Sequence, residues 1–495
     1  MNNLGISRWE NPNEINARLN KLTTEKIWEV NDDYYNNEIM KYYDEKCQKS
    51  KALFEEAKER IPGGVQHNLA FNKPFPLCFD KAEGAYLYDK DGNKYIDFLQ
   101  AGGPTILGSN YKPVRDAVLE LINNCGPVTG LLHEAEYMVA KVINECMPNV
   151  EMFRMLGSGT EAVMASFRIA RIASGKKRVI KVGGAYHGWS DQVVYGLKIP
   201  GSRGLLESHG IPNKCYSLTD EIRPNDLNML EKMLKLNKIK GGTAAVIVEP
   251  IGPESGTRPV AKEYNKGVRS LCDKYGALLI FDEVVSGFRV GISGAQGYFD
   301  IVPDLTIFGK IVAGGYPAAG GVGGKKEYTE LMAAGVATGK HRAYVGGTLA
   351  ANPLSSLAGY TAISEIRRTN ACEIAGRAGD RLTDGLKELI QKYSLPYVTY
   401  NQGSIVHLEC TGAMSFDYSS FSLIKSALGL LKNKEMMYKR KDSMERMGAT
   451  YMANGIVTLA GSRLYTSMAD TDEVIDEALN RFDNVFKQVV RTNKG

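Results

Sequence analysis

Residues 277–310 read ALLIFDEVVSGFRVGISGAQGYFDIVPDLTIFGK, and they hold two short apolar runs with the same ending. Ala277 to Phe281 is unbroken and apolar and stops at Asp282-Glu283; Leu305 to Phe308 is apolar and stops at Gly309-Lys310. Runs without polar alternation fit strands buried on both faces. Upstream, Val150 to Met155, Arg178 to Val182 and Ala244 to Val248 read the same way. Amphipathic stretches such as Thr160 to Ala173 and Tyr264 to Tyr275 lie between them and predict helices. Strands followed by helices at this spacing predict an α/β fold: a mainly parallel mixed sheet with helices on both faces.

Outward from that core, residues 105–365 are expected to form this large domain, and 366–495 a smaller α+β domain of helix, strands and helix. Lys112 to Asn123 and Glu134 to Cys146 predict helices, and GAYLYDKDGNKYIDF at 84–98 predicts a hairpin turning at Asp91-Gly92. Residues 61–104 would join the small domain to the active-site entrance. Residues 1–60 are polar, with tyrosines at helical spacing, and predict a helical extension that either wraps the body or a partner subunit, or faces solvent.

The composition excludes several functions. The 495 residues are 43% hydrophobic and 24% charged with a formal charge of +5, and no long basic run suggests nucleic acid. No run of 18 apolar residues suggests a membrane span, and the amino terminus has no apolar signal core. The eight cysteines include no CxxC pair, so reduced thiols and a cytoplasmic location are expected. The six histidines form no HxxxH or HxH pair, and no metal is expected.

In an open parallel sheet, ligands sit beyond the carboxyl ends of the strands. Asp282 stands at such an end. A carboxylate there suits a protonated pyridine nitrogen, as in pyridoxal 5'-phosphate, where the charged ring is the electron sink. Glu283 beside it could instead cap a helix or pair with a surface cation. Lys310 lies between an apolar strand and a glycine-rich apolar loop, where partial desolvation makes an amine a usable nucleophile. GSGTEA at 157–162 follows a strand and opens a helix, so its free amides with Ser158, Gly159 and Thr160 could cradle a phosphate. A serine-capped turn would read the same way. The stretch lacks the Lys-Ser/Thr ending of a Walker loop and does not match GxGxxG. Tyr186 could stack on a ring or be an ordinary core aromatic, and Thr348, in the glycine turn 346–348, could add a phosphate bond.

Taken jointly, these pieces resemble the class III aminotransferases of pyridoxal-phosphate fold type I. The nearest pattern is that of the glutamate-1-semialdehyde aminomutases. The resemblance spans about residues 61 to 490 and rests on ordered stretches. They include RIPGGV at 60–65, GPTILG at 103–108, GGAYHG at 183–188 and FDEVVSGFRV at 281–290. PDLTIFGKIVAGGYPAAGGVGG at 303–324 and GGTLAANPL at 346–354 complete the set. The resemblance implies that Lys310 forms the Schiff base, Asp282 pairs with the pyridinium nitrogen, and Ser158, Gly159 and Thr160 hold the phosphate. It implies that Tyr186 and Val284 flank the ring and that Glu249 orients Asp282 or a nearby loop. It also implies a homodimer in which Thr348 reaches the neighbouring subunit's cofactor.

Three departures from the aminomutase pattern fall on the substrate side. The arginine expected after GGV is absent, and Gln66-His67 stand in that stretch. A tryptophan expected before GPxILG is Gly102. A carboxyl-terminal pocket glutamate is missing, with Arg463 in its neighbourhood as either a new carboxylate anchor or an exposed structural arginine. The leading expectation is transamination between an amino acid, β- or ω-amino acids included, and a keto acid or aldehyde. An aminomutase-like internal amino shift and racemisation or epimerisation are the alternatives.

Overall fold

The apolar runs become one seven-stranded sheet in the computed structural model, which describes residues 3–197, 208–335, 341–413 and 423–492. Its strands are β1 (Met152–Leu156), β2 (Arg178–Val182), β3 (Thr219–Ile222), β4 (Thr243–Val248), β5 (Leu278–Asp282), β6 (Leu305–Gly309) and β7 (Gly320–Gly324). Their order is β1-β7-β6-β5-β4-β2-β3. Only β7 breaks the parallel pattern, running antiparallel to both β6 and β1. Every residue of β4, β5 and β6 is buried, as their unalternated sequences predict.

Helices cover both faces. They are α1 (Lys112–Asn124), α2 (Glu134–Cys146), α3 (Gly159–Ser174), α4 (Leu227–Ile239), α5 (Tyr264–Tyr275) and α6 (Pro353–Thr369). Ile247, Ile280 and Ile307 pack in one cluster with Phe167 and Ile169 of α3. Val246, Leu279 and Phe281, one position away, pack with Leu230 and Leu234 of α4 and Val268 of α5. The two-residue period of the strand thus sends alternate side chains into two separate cores.

β7 has the sequence GGVGG and lies inside 313–324, which the sequence reading took as a glycine-rich loop. Glycine has low strand propensity, but close approach requires it here. A Cβ on Gly320 would stand 2.2 Å from the Ser158 carbonyl oxygen, and one on Gly321 would stand 2.4 Å from the Phe153 ring.

This sheet belongs to a unit of residues 1–12, 103–105 and 112–373; a second unit holds 13–102, 106–111 and 374–495. In the second unit, the hairpin strands Tyr86–Asp89 and Lys94–Asp97 join a four-stranded sheet, and Val398–Gln402, Ile405–Glu409 and Arg463–Tyr465 form a three-stranded one. Residues 13–60 are mostly helical, and they also contribute strand Trp28–Val30, which pairs with Val489–Arg491. Tyr35, Ile39, Tyr43 and Cys47 are buried with Ile96 and Phe482, so this segment is part of the unit's core rather than a solvent-facing arm. Among the described residues, no helix is long and apolar enough to cross a membrane.

Candidate active site

Strand register assembles the site. Ile307 of β6 lies opposite Asp282 of β5, and Glu283 N–H donates to the Ile307 carbonyl at 3.0 Å. Lys310 therefore emerges three residues past the partner of Asp282. On one side, Gly309, Gly320 and Leu156 form a row across β6, β7 and β1, and Ser158 bridges to Ala319. On the other, Val248 lies opposite Phe281, which sets Glu249 beyond β4 next to Asp282. Glycine loop, lysine, aspartate and glutamate thus share one edge of the sheet, at the carboxyl ends of parallel strands.

Ser158 opens α3 as its cap, its Oγ accepting from Glu161 N–H at 3.2 Å. The Glu161 carboxylate in turn accepts from Gly157 N–H at 2.8 Å, which tightens the loop. A Cβ on Gly188 would meet Thr160 Oγ1 at 2.3 Å, so the loop after β2 presses against the helix start. Val284 fills the space between two backbones: a Cβ on Gly159 would meet it at 3.0 Å and one on Gly309 at 2.8 Å. Lys310 itself has φ 49, a left-handed conformation that costs a non-glycine residue about 1–2 kcal/mol. Beside the helix start, a cavity of about 720 Å³ is lined by Ser158, Thr160, Glu161 and Trp189 among others.

The carboxylates divide the work. Asp282 Oδ1 accepts from Val284 N–H at 3.2 Å, and Oδ2 lies 2.7 Å from His187 Nδ1. Glu249 Oε1 accepts from both Tyr186 N–H and Glu254 N–H at 2.8 Å, and Oε2 accepts from Ser255 N–H and, at 3.0 Å, from its hydroxyl. Burial, reinforced by the charge of Asp282, pushes Glu249 up to about 8, against the pull of these donors. Its donors at Glu254 and Ser255 sit at φ 45 and φ 50, so the glutamate holds a strained turn and the Tyr186 loop together. Glu283 faces away. It accepts from Ala295 N–H at 2.8 Å and Gln296 N–H at 3.0 Å, and so caps the helix Gly294–Phe299, the structural alternative for this residue.

Tyr186 is half exposed. Thr348 is exposed, in a turn whose Gly347 backs onto the Glu161 carboxylate. Gln66, His67, Gly102 and Arg463 belong to the second unit. Gln66 is exposed, and His67 Nδ1 accepts from Leu69 N–H at 3.1 Å, capping a short turn. Gly102 is buried at φ 83. Arg463 is only 8% exposed and pairs across strands with His407, so the exposed structural arginine is ruled out. The sequence reading missed His187, although the stretch containing it was quoted for Tyr186; an imidazole just past the end of a parallel strand was the available signal.

The family model for aminotransferase class-III matches residues 70–486. The chain is 38% identical over 384 residues to glutamate-1-semialdehyde 2,1-aminomutase 2 of Lachnoclostridium phytofermentans, covering 76% of this chain and 87% of that protein. It is 37% identical over 448 residues to the glutamate-1-semialdehyde 2,1-aminomutase of Acetivibrio thermocellus, covering 88% and 97%. Among solved structures, an omega-transaminase from Sphaerobacter thermophilus superposes with a TM-score of 0.78 at 26% identity, covering 90% of this chain and 99% of that one. With the glycine loop, Lys310 and Asp282 aligned on one sheet edge, the chain belongs to the class-III aminotransferases, fold type I enzymes that move amino groups through pyridoxal-phosphate Schiff-base chemistry.

Proposed function

We propose that this chain is an aminotransferase that carries an amino group from an amino acid, β- or ω-amino acids included, to a keto acid or aldehyde, with Lys310 as its catalytic amine. One observation carries the reading: the register that sets Asp282 and Lys310 at the ends of adjacent parallel strands also brings Ser158, two residues past Leu156 of the same row, to that edge of the sheet. The residues fit pyridoxal 5'-phosphate. The start of α3 offers amides and two hydroxyls to an anion, the buried Asp282–His187 pair offers a carboxylate to a ring N–H, and glycines at 159 and 309 keep the backbone close around Val284.

When bound, the cofactor supplies an aldehyde that captures amines and a ring that accepts the electrons of a broken α-carbon bond. Lys310 Nζ holds it covalently between turnovers, then takes the proton from the substrate α carbon and returns it elsewhere. Asp282 keeps a proton at the ring nitrogen, and His187 keeps Asp282 in place. Ser158, Gly159 and Thr160 hold the phosphate, while Tyr186 and Val284 flank the ring. Glu249 orients the loop that carries Tyr186. On the substrate side, Arg463 anchors a carboxylate, Gln66 and His67 add polar contacts, and Gly102 leaves room.

The enzyme acts as a homodimer in the cytoplasm, with Thr348 reaching the phosphate of the neighbouring cofactor. Tyr344 and Leu349, 71% and 61% exposed on either side of Thr348, support a second copy covering this face. The aminomutase relatives favour a second reading, an internal amino shift by the same residues. Against it stands the missing arginine near Gln66. The test is to reconstitute the protein with pyridoxal phosphate and titrate it with α-, β- and ω-amino acids, with and without keto acids. A visible cofactor band that Lys310→Ala abolishes, with turnover only when both substrates are present, supports transamination. Conversion of a single substrate without a carbonyl acceptor supports the amino shift instead.

A further inference from the structure

Lys181 has no part in the chemistry described so far, yet it is fully buried near the carboxyl end of β2. A lysine is almost never enclosed unless its ammonium is paired, because taking the charge out of water is costly. Its Nζ donates to the Val193 carbonyl at 3.1 Å and to the Tyr195 carbonyl, and it lies 4.3 Å from the centre of the Tyr195 ring. Glu221, opposite Lys181 in the register of β2 and β3, bears on the same stretch: a Cβ on Gly196 would meet its carboxylate at 2.6 Å. Two facing strand residues thus hold the segment 193–196.

That segment is the return arm of a loop that begins in the site. Gly184 N–H donates to the Gly196 carbonyl at 2.8 Å, which closes residues 184–196 on themselves. The outgoing arm carries Tyr186, whose N–H donates to Glu249, and His187, which meets Asp282 at 2.7 Å. Trp189 N–H then donates to Thr160 Oγ1 at 3.4 Å, and Trp189, Ser190, Asp191 and Gln192 line the cavity beside Ser158 and Thr160. A loop closed at its base passes the position of one arm to the other. We propose that Lys181 is a positioning residue: by clamping the carbonyls of Val193 and Tyr195 it holds the loop so that Tyr186, His187 and Trp189 stay in place around the cofactor site; this rests on the reading of the chain as an aminotransferase acting at Lys310. The side chains of Val193 and Tyr195 are themselves buried. The loop therefore stays packed without the lysine and loses the precision of its placement rather than its fold.

The experiment uses Lys181→Met, which keeps the stem and removes the donors, and Lys181→Gln as a second variant in case the first does not fold. Amide hydrogen exchange is measured on the full chain before reconstitution, and kinetics after it, with pyridoxal phosphate and the best amino-acid donor of the titration panel. Exchange across 184–196 is expected to quicken about tenfold, with β4 and β6 unchanged. For the reconstituted variant, kcat/KM should fall about tenfold, the usual worth of a hydrogen bond to a charged group. Because the lysine acts through the loop that carries His187, its loss and that of His187→Ala should not multiply: the double variant should retain at least about threefold more activity than their product. Exchange that quickens equally throughout the sheet, unchanged exchange in 184–196, or losses that multiply would overturn the assignment. A wild-type protein with no Lys310-dependent visible band would instead sink the aminotransferase reading, and the exchange result would stand apart from it.

Discussion

His187 and Asp282 are 95 residues apart in the chain and 2.7 Å apart in the fold, Nδ1 against Oδ2, both buried. Asp282 keeps one further bond, from Val284 N–H to Oδ1. Removing the imidazole leaves Oδ2 bare in a buried site, and the carboxylate loses the orientation it needs toward a ring nitrogen. His187→Ala is expected to lower kcat/KM by about 10- to 100-fold, the cost of unpairing a buried charge-assisted hydrogen bond. Asp282→Asn should lose more, because an amide cannot hold the ring proton. Steady-state kinetics on both variants check the order, and a His187→Ala enzyme as active as wild type would refute the role.

Glu249 predicts a pH dependence of the cofactor-free protein. Its proton stays on until about 8 in the fold, through burial first and the charge of Asp282 second, against an ordinary value of 4.5. Between those values the folded chain binds more protons than the unfolded one. The contribution to stability is thus complete below 4.5 and lost as pH rises through about 8. Denaturant midpoints measured across that range should fall with pH in wild type, and Glu249→Gln should remove this part of the slope. Parallel pH profiles for the two proteins would contradict this.

How far such a site can be read from sequence depends on which residues carry local signals. Strands β4, β5 and β6 announce themselves because burial on both faces demands unbroken apolar runs, and their last residues are the ones a ligand meets. The GSGTEA turn is equally local: its serine caps the helix that its glycines open. β7 is hidden because its glycines answer to Phe153 and Ser158, residues more than 160 positions away, rather than to strand propensity. Strand β3, TDEI at the sheet edge, carries too little apolar character to stand out. His187 could not be assigned to Asp282 without knowing that β2 and β5 end on the same side of one sheet. The burial of Arg463 follows from its pairing with His407, a strand register that no local pattern reveals.

That pairing yields a measurement. His407 stacks on Tyr400 with ring centroids 4.7 Å apart, and its Nε2 lies 3.0 Å from Gln402 Oε1. Burial first, then the charge of Arg463, holds the imidazole well below its ordinary 6.5. Because the folded value is depressed, the neutral ring contributes stability above 6.5 that is lost as pH falls below it. Arg463→Gln removes the cation, so the His407 titration followed by NMR should move upward, and acid should destabilise the variant less steeply. If Arg463 also anchors a substrate carboxylate, the same variant should raise KM for amino acids while leaving the cofactor band intact. An unmoved His407 would mean that burial alone sets its titration.

The contact of Val284 with two glycine backbones can be tested by a double-mutant cycle. Gly309 has φ −160, so alanine meets no backbone penalty there and its effect reports packing alone. Its Cβ would stand 2.8 Å from Val284 Cγ1 and 3.2 Å from Cγ2. Gly309→Ala should therefore destabilise by about 1–3 kcal/mol, the usual cost of overpacking. It should also weaken cofactor binding, because the displaced valine presses on Gly159 at the start of α3. Val284→Ala removes the clashing methyls, and the pair together should recover most of the loss, a coupling of about 1–2 kcal/mol. Gly320→Ala is the control. Its Cβ would meet the Ser158 backbone at 2.2–2.6 Å, where no side chain can be trimmed, so Val284→Ala should give it no relief. Rescue of both variants by Val284→Ala, or of neither, would show that the valine is not what fills the space beside Gly309.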